Sequence, residues 1–378
     1  MMRGRHTRTR NHPRLPTPVQ APGKHRRGRH RRRRRAIHAA VMLLIALAAG
    51  VLAAGGASAA TTPPRAGCTD LDIPVTSGVV TARMRATLCL PASPAADVPL
   101  QILVSGGTYN RTYWSGLGLP AYSYAARATG AGFSTLAVDR IGTGASSHPL
   151  STLVSAGMQA DALHQVIARV RSCALTGQKH TRVVLAGHSL GSMAAVVAAA
   201  RHPADVDALI LTGYSHRIAP SELLTSLTSM YPAALEGRLL DPGYLTTRPG
   251  VRGSLFHSAG EVAPAVVAAE EATKDVASAA ELPDAVLAGL SRDMSRRITA
   301  PVLEANGEKD SWACTAVDCT NADALHAAER GYFTVPLTTY VQPRAGHSLA
   351  LARDGGAFTD FASIWLRHVL AEGSRSRS

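Results

Sequence analysis

Zinc-site spacing is missing from this chain: there is no CxxC pair and no His/Cys cluster spaced to hold a structural metal. Internal repeats are missing too, which sets aside repeat architectures. The first 35 residues contain no acidic side chain, yet they hold 14 of the 40 lysines and arginines. The other 26 basic residues face 26 acidic ones, so the formal charge of +14 belongs to the leader alone. A neutral body gives no electrostatic reason to expect nucleic acid or a polyphosphate as partner.

The basic block runs directly into an apolar stretch, Ala36 to Ala54, followed by Gly55, Gly56 and the small triplet Ala57-Ser58-Ala59. A positive front, an apolar run and an A-x-A site form a secretory signal, here residues 1–59 with a long Arg-rich front end and cleavage expected after Ala59. The alternatives are a retained membrane anchor, judged against the ~20 apolar residues a span needs, and an Arg-rich nucleic-acid arm. A membrane is therefore a partner only if the segment is kept. No S-R-R-x-F-L-K pattern occurs, which leaves the export route open. Export would carry residues 60–378 into oxidising conditions, where cysteines pair. Of the five cysteines, Cys314 and Cys319 are close enough in sequence to staple a loop, and Cys68 and Cys89 flank an expected strand pair. Cys173 is then left unpaired at a helix end.

Short apolar runs bounded by turn residues recur along the body: Leu100 to Val104, Phe133 to Val138, Arg182 to Ala186, Val206 to Leu211, Val302 to Ala305 and Thr338 to Val341. Such runs are strands buried on both faces, as in parallel sheets. Between them Ser151 to Cys173 and Leu190 to His202 are long, Ala- and Leu-rich helical patterns. The alternation predicts an α/β fold with a doubly wound, mostly parallel sheet. Residues at about 215–299 break it, with helical patches, six prolines and no convincing strand. A helical lid inserted between two strands is expected there, with a separate small domain as the plainer alternative.

Gly187-His188-Ser189-Leu190-Gly191 fits G-x-S-x-G in the context that gives the pattern meaning, a strand, a sharp turn and a helix. The bend presents the Ser189 hydroxyl above the sheet, and small residues two positions away on each side relieve the crowding. At the start of the helix the Leu190 N–H is free to donate to a developing oxyanion. A serine hydroxyl needs a base, and the base needs a carboxylate to fix its tautomer. His202, His216, His257, His326, His347 and His368 follow Ser189 in the chain. His347, in Ala345-Gly346-His347-Ser348 just past an expected strand, lies where ligands of open α/β sheets bind. His216 and His257 fall in the lid, within reach of a substrate. Asp310 holds the matching position after the preceding strand, with Glu308 and Asp318 as rivals. The second oxyanion donor is expected from Ser105-Gly106-Gly107-Thr108, from either Gly107 or Thr108. The aromatic-rich run Tyr109 to Trp114 either lines a substrate pocket or packs that loop.

From about residue 75 to 371 the chain resembles the α/β-hydrolase superfamily, particularly its lidded lipase- and esterase-like bacterial members. The resemblance rests on SGGTYNRTYW, DRIGTGASS, GHSLG, NGEKD and AGHS, in that order. It departs from the family at Ser105-Gly106, where His-Gly is frequent. It implies that the glycine loop from Asp139 to Ser147 is structural, that Asp-nucleophile relatives are poor guides because position 189 is Ser, and that no metal or organic cofactor is needed. The expectation is a secreted serine hydrolase acting on a small-molecule or lipid ester. Peptidase, thioesterase and haloperoxidase-like chemistry use the same residues, and a non-catalytic binding protein on this scaffold is the competing class.

Overall fold

The computed structural model describes residues 67–92 and 97–375. The expected signal segment, residues 1–59, lies outside the described residues. Among these, no helix is long and apolar enough to cross a membrane.

The described chain begins as a hairpin of β1 (Gly67–Ser77) and β2 (Val80–Leu90), paired antiparallel with Cys68 directly opposite Cys89. These two cysteines are bonded to each other. The run Leu100–Val104 has almost nothing to offer water, and as β3 it is buried along its whole length. The same holds for β4 (Ser134–Val138), β5 (Val183–His188) and β6 (Ala208–Thr212). Helices cover both faces, which is why continuous apolar runs mark these strands.

Residues 213–301 separate β6 from the next long strand. They contain the helices Pro220–Thr228, Arg252–Phe256, Pro264–Thr273, Glu281–Gly289 and Arg292–Ser295. They also contain a small antiparallel sheet of β7 (Met230–Pro232), β8 (Tyr244–Thr247) and β9 (Ala277–Ser278), which corrects the expectation of a purely helical insertion. Strands this short carry no readable alternation, and a proline ends β7. Pro220 and Pro264 do not interrupt helices; they start them, where the missing N–H costs nothing.

The chain then forms β10 (Val302–Gly307) and β11 (Leu337–Gln342) and closes on the helix Gly355–Arg375. The main sheet has the order β1-β2-β4-β3-β5-β6-β10-β11, with β4 through β11 all parallel in that row. The carboxyl ends of β5, β10 and β11 therefore lie along one edge, and the loops that carry Ser189, Asp310 and His347 leave from there. The helices Ala156–Arg171 and Leu190–Arg201 pack together on one face. Ser155 caps the first of them by accepting from the Met158 N–H.

Candidate active site

β5 ends at His188 and the helix starts at Leu190, leaving one residue for the turn. Ser189 makes that turn at φ 53°, ψ −120°, a conformation that costs a non-glycine residue roughly 1–3 kcal/mol. Close packing imposes it. A methyl group on Gly187 would overlap the Gly191–Ser192 backbone, and one on Gly191 would overlap the Val104 carbonyl. The bend is pinned by the Ser189 N–H, which donates to the Thr212 carbonyl at 2.8 Å. Ser189 itself is only half-buried.

Asp310 and His347 are brought together from 37 residues apart. His347 Nδ1 lies 3.0 Å from each Asp310 carboxylate oxygen, with both side chains almost fully buried. Asp310 Oδ1 also accepts from the N–H groups of Trp312 and Ala313, so the carboxylate caps a short helix while it faces the imidazole. That helix, Ser311–Cys314, is tied to Cys319 by the second expected disulfide, and Cys173 is free. His347 Nε2 is buried and has no partner among the described residues. Its ring is enclosed by His188, Trp312 and Phe256, at centroid distances of 4.9, 5.7 and 5.9 Å. Ser189 and His347 share a neighbour in His188 but form no hydrogen bond here. Such contacts often tighten only when substrate is bound.

His188 stacks face to face on Tyr113 at 4.4 Å, and burial holds its pKa well below the ordinary value, so it is neutral. The run Tyr109 to Trp114 therefore packs the site from behind: Tyr113 and Trp114 are fully buried, and Tyr109 nearly so. Asp139 accepts from Arg111 and from the Ala145 N–H, a structural role as expected.

The loop expected to supply the second oxyanion donor lies against the elbow. A methyl on Gly106 would sit 3.1 Å from the Ser189 Cβ, and one on Gly107 would sit 3.5 Å from Leu190 Cδ2. Thr108 has φ 58° and is fully buried. Arg252 of the insertion holds it, donating through Nη1 to the Thr108 carbonyl and hydroxyl.

The rival histidines and acids are engaged elsewhere. His216 is buried between Glu329 at Nδ1 and Ser295 at Nε2, so it faces no substrate, contrary to expectation. His257 pairs with Glu270 at 2.9 Å, both side chains buried. His202 stacks on His164, His368 lies beside Glu372 on the surface, and His326 sits on the helix Ala322–Glu329. Glu308 accepts from the Arg344 N–H and Asp318 from the Thr320 N–H.

Several neighbours of the site escaped sequence reasoning. Tyr109 hydrogen-bonds Glu270 and, at 2.7 Å, Ser348, the residue after His347. Arg252 lies over the Tyr109 ring at 4.2 Å and is fully buried. Glu270 and Arg252 come from the insertion, and no local pattern announces such long-range pairings.

Residues 101–360 match the alpha/beta hydrolase family. The chain belongs to that family. Among curated proteins none matches the sequence. Solved structures of the same fold include a thermophilic esterase from Thermogutta terrifontis, with TM-score 0.58 and 18% identity over 80% of this chain and 99% of that one. A monoacylglycerol lipase from Paleococcus ferrophilus aligns with TM-score 0.51 and 20% identity, over 72% and 96%. E-2-(acetamidomethylene)succinate hydrolase aligns with TM-score 0.51 and 22% identity, over 78% and 99%. At these identities the likeness establishes the fold of this hydrolase and leaves its substrate to chemistry.

Proposed function

We propose that this hydrolase is a secreted serine esterase that works through an acyl-enzyme. Ser189 Oγ attacks the carbonyl carbon of a carboxylic ester while His347 Nε2 takes its proton. Asp310 holds Nδ1 and stabilises the imidazolium that forms. The Leu190 N–H and a second N–H from Gly107 or Thr108 bind the tetrahedral oxyanion. Collapse of that intermediate expels the alcohol with the proton from His347, and water then releases the acid by the same steps in reverse.

The observation that carries this proposal is the buried Asp310–His347 pair, whose free Nε2 sits in the same aromatic enclosure as the elbow holding Ser189. Export is supported by the leader pattern and by two disulfides. The insertion serves as a lid, and the substrate is a small-molecule or lipid ester, in keeping with an esterase and a lipase among the structures of like fold. No nucleic-acid partner is proposed, because the 26 basic residues beyond the leader are matched by 26 acidic ones.

A fluorophosphonate probe followed by a panel of p-nitrophenyl esters, run beside matching anilides, tests the proposal. Labelling of Ser189, ester turnover and its loss in Ser189→Ala are expected. Absence of label would favour a binding protein, and turnover of the anilides alone would make the enzyme an amidase.

A further inference from the structure

Arg140 lies in the glycine loop after β4, and its side chain is 1% exposed. Its guanidinium donates through Nε to the Ser105 carbonyl at 3.0 Å and through Nη2 to the Gly106 carbonyl at 3.3 Å. Nη1 is paired with Glu281, which opens the insertion's helix Glu281–Gly289 and is equally buried. Gln159 donates to the same Glu281 oxygen at 3.0 Å and brackets the Ile141 backbone, so the guanidinium is held from two sides.

We propose that Arg140 is a positioning residue that aims the Gly107 N–H as the second oxyanion donor, with Glu281 of the insertion keeping it in place. The proposal rests on Ser189 being the nucleophile. A trans peptide is planar, with its C=O and N–H antiparallel, so whatever holds the Gly106 carbonyl also sets the direction of the Gly107 N–H. Two donors hold that carbonyl: Arg140 Nη2 and the Tyr109 N–H, each at 3.3 Å. No donor among the described residues reaches the Gly107 carbonyl, the one that would fix the Thr108 N–H. The Thr108 carbonyl is itself held, by the Asp275 N–H and by Arg252, but that sets Tyr109 and not Thr108. Glycine at 107, packed against the Leu190 side chain, is thus the amide of this loop whose aim is fixed next to the elbow. The guanidinium reaches two carbonyls and a carboxylate through three separate nitrogens held in one rigid planar fork, a span that the single nitrogen of an ammonium does not have. The insertion thereby becomes a part of the catalytic alignment through Glu281, 141 residues away in the chain.

Arg140→Lys tests this, since it keeps a charge for Glu281 but cannot span both carbonyls. We expect kcat to fall by about 10- to 100-fold with KM within about twofold, because misaiming an oxyanion donor weakens the transition state alone. Affinity for a trifluoromethyl ketone, which forms a tetrahedral adduct on the serine, should fall by the same factor. A merely structural role would lower Tm and yield without separating kcat from KM. Unchanged kcat per folded enzyme and unchanged ketone affinity would overturn the proposal while Ser189→Ala, inactive, leaves the esterase mechanism standing. An active Ser189→Ala would instead overturn that mechanism. If Arg140→Lys fails to fold, the isosteric Glu281→Gln is measured in the same way and judged by the same outcomes.

Discussion

Gly213 stands against His347: a methyl group added to it would lie 2.9 Å from Cε1 of the imidazole, and equally close to Cε1 of His188. The backbone there has φ +57°, which costs an L side chain roughly 1–2 kcal/mol. Gly213→Ala should therefore lower stability by about that amount and, if His347 is the base as proposed, cut kcat more than 10-fold by displacing it. Urea unfolding and ester turnover check both parts, and wild-type turnover would show that the ring tolerates displacement.

Asp310→Asn separates the two duties of that carboxylate. Asparagine still caps Trp312 and Ala313, so the unfolding midpoint should stay close to wild type. An amide facing Nδ1 favours the wrong tautomer, and kcat should fall by about 10³- to 10⁴-fold. Turnover within a factor of ten would remove Asp310 from the mechanism.

Glu304 is fully buried in β10, and neither carboxylate oxygen has a partner among the described residues. Burial, reinforced by the charge of Glu329, raises its pKa well above 4.5. The folded chain thus keeps a proton that the unfolded chain releases above pH 4.5, so stability is lost as pH rises from there toward the folded value. The slope is at most about 1.4 kcal/mol per pH unit. Glu304→Gln should be more stable than wild type, by a margin that grows between pH 5 and pH 8. Denaturant midpoints at both pH values decide it, and a margin that does not change with pH would refute the protonated carboxyl.

Reduction of Cys68–Cys89, which closes 21 residues of chain, should cost about 3 kcal/mol through the entropy restored to the unfolded state. A Cys68→Ser, Cys89→Ser variant should show it as a lower Tm with the activity of the folded enzyme unchanged, since both residues lie on the hairpin at the sheet edge remote from β5 and β10. An unchanged Tm would assign the bond no share in stability.

The parallel core was readable because strands buried on both faces must be apolar throughout, and the elbow because a one-residue turn between strand and helix demands glycines at fixed offsets. The pairing of Asp310 with His347 was readable from chain order and strand ends. What lay hidden was everything that depends on the insertion. Glu281 meets Arg140, Glu270 meets Tyr109 and His257, and Arg252 meets Thr108 only after the chain has folded back on itself. Hydrogen bonds and ion pairs formed in this way leave no periodicity. The sheet of β7 to β9 was missed for a related reason, its strands being too short to show any periodicity.

The His347 loop and the insertion are joined at the backbone. The Ser348 N–H donates to the Phe256 carbonyl at 2.9 Å, and a methyl on Gly346 would overlap His257 and Ser258. A hinged cover that lifted residues 256–258 would drag the imidazole along and disarm the catalyst each time a substrate was admitted. On the proposed reading of the insertion as a lid, the part that swings is therefore expected to be another stretch of it, with the joined segments serving as the fixed doorpost.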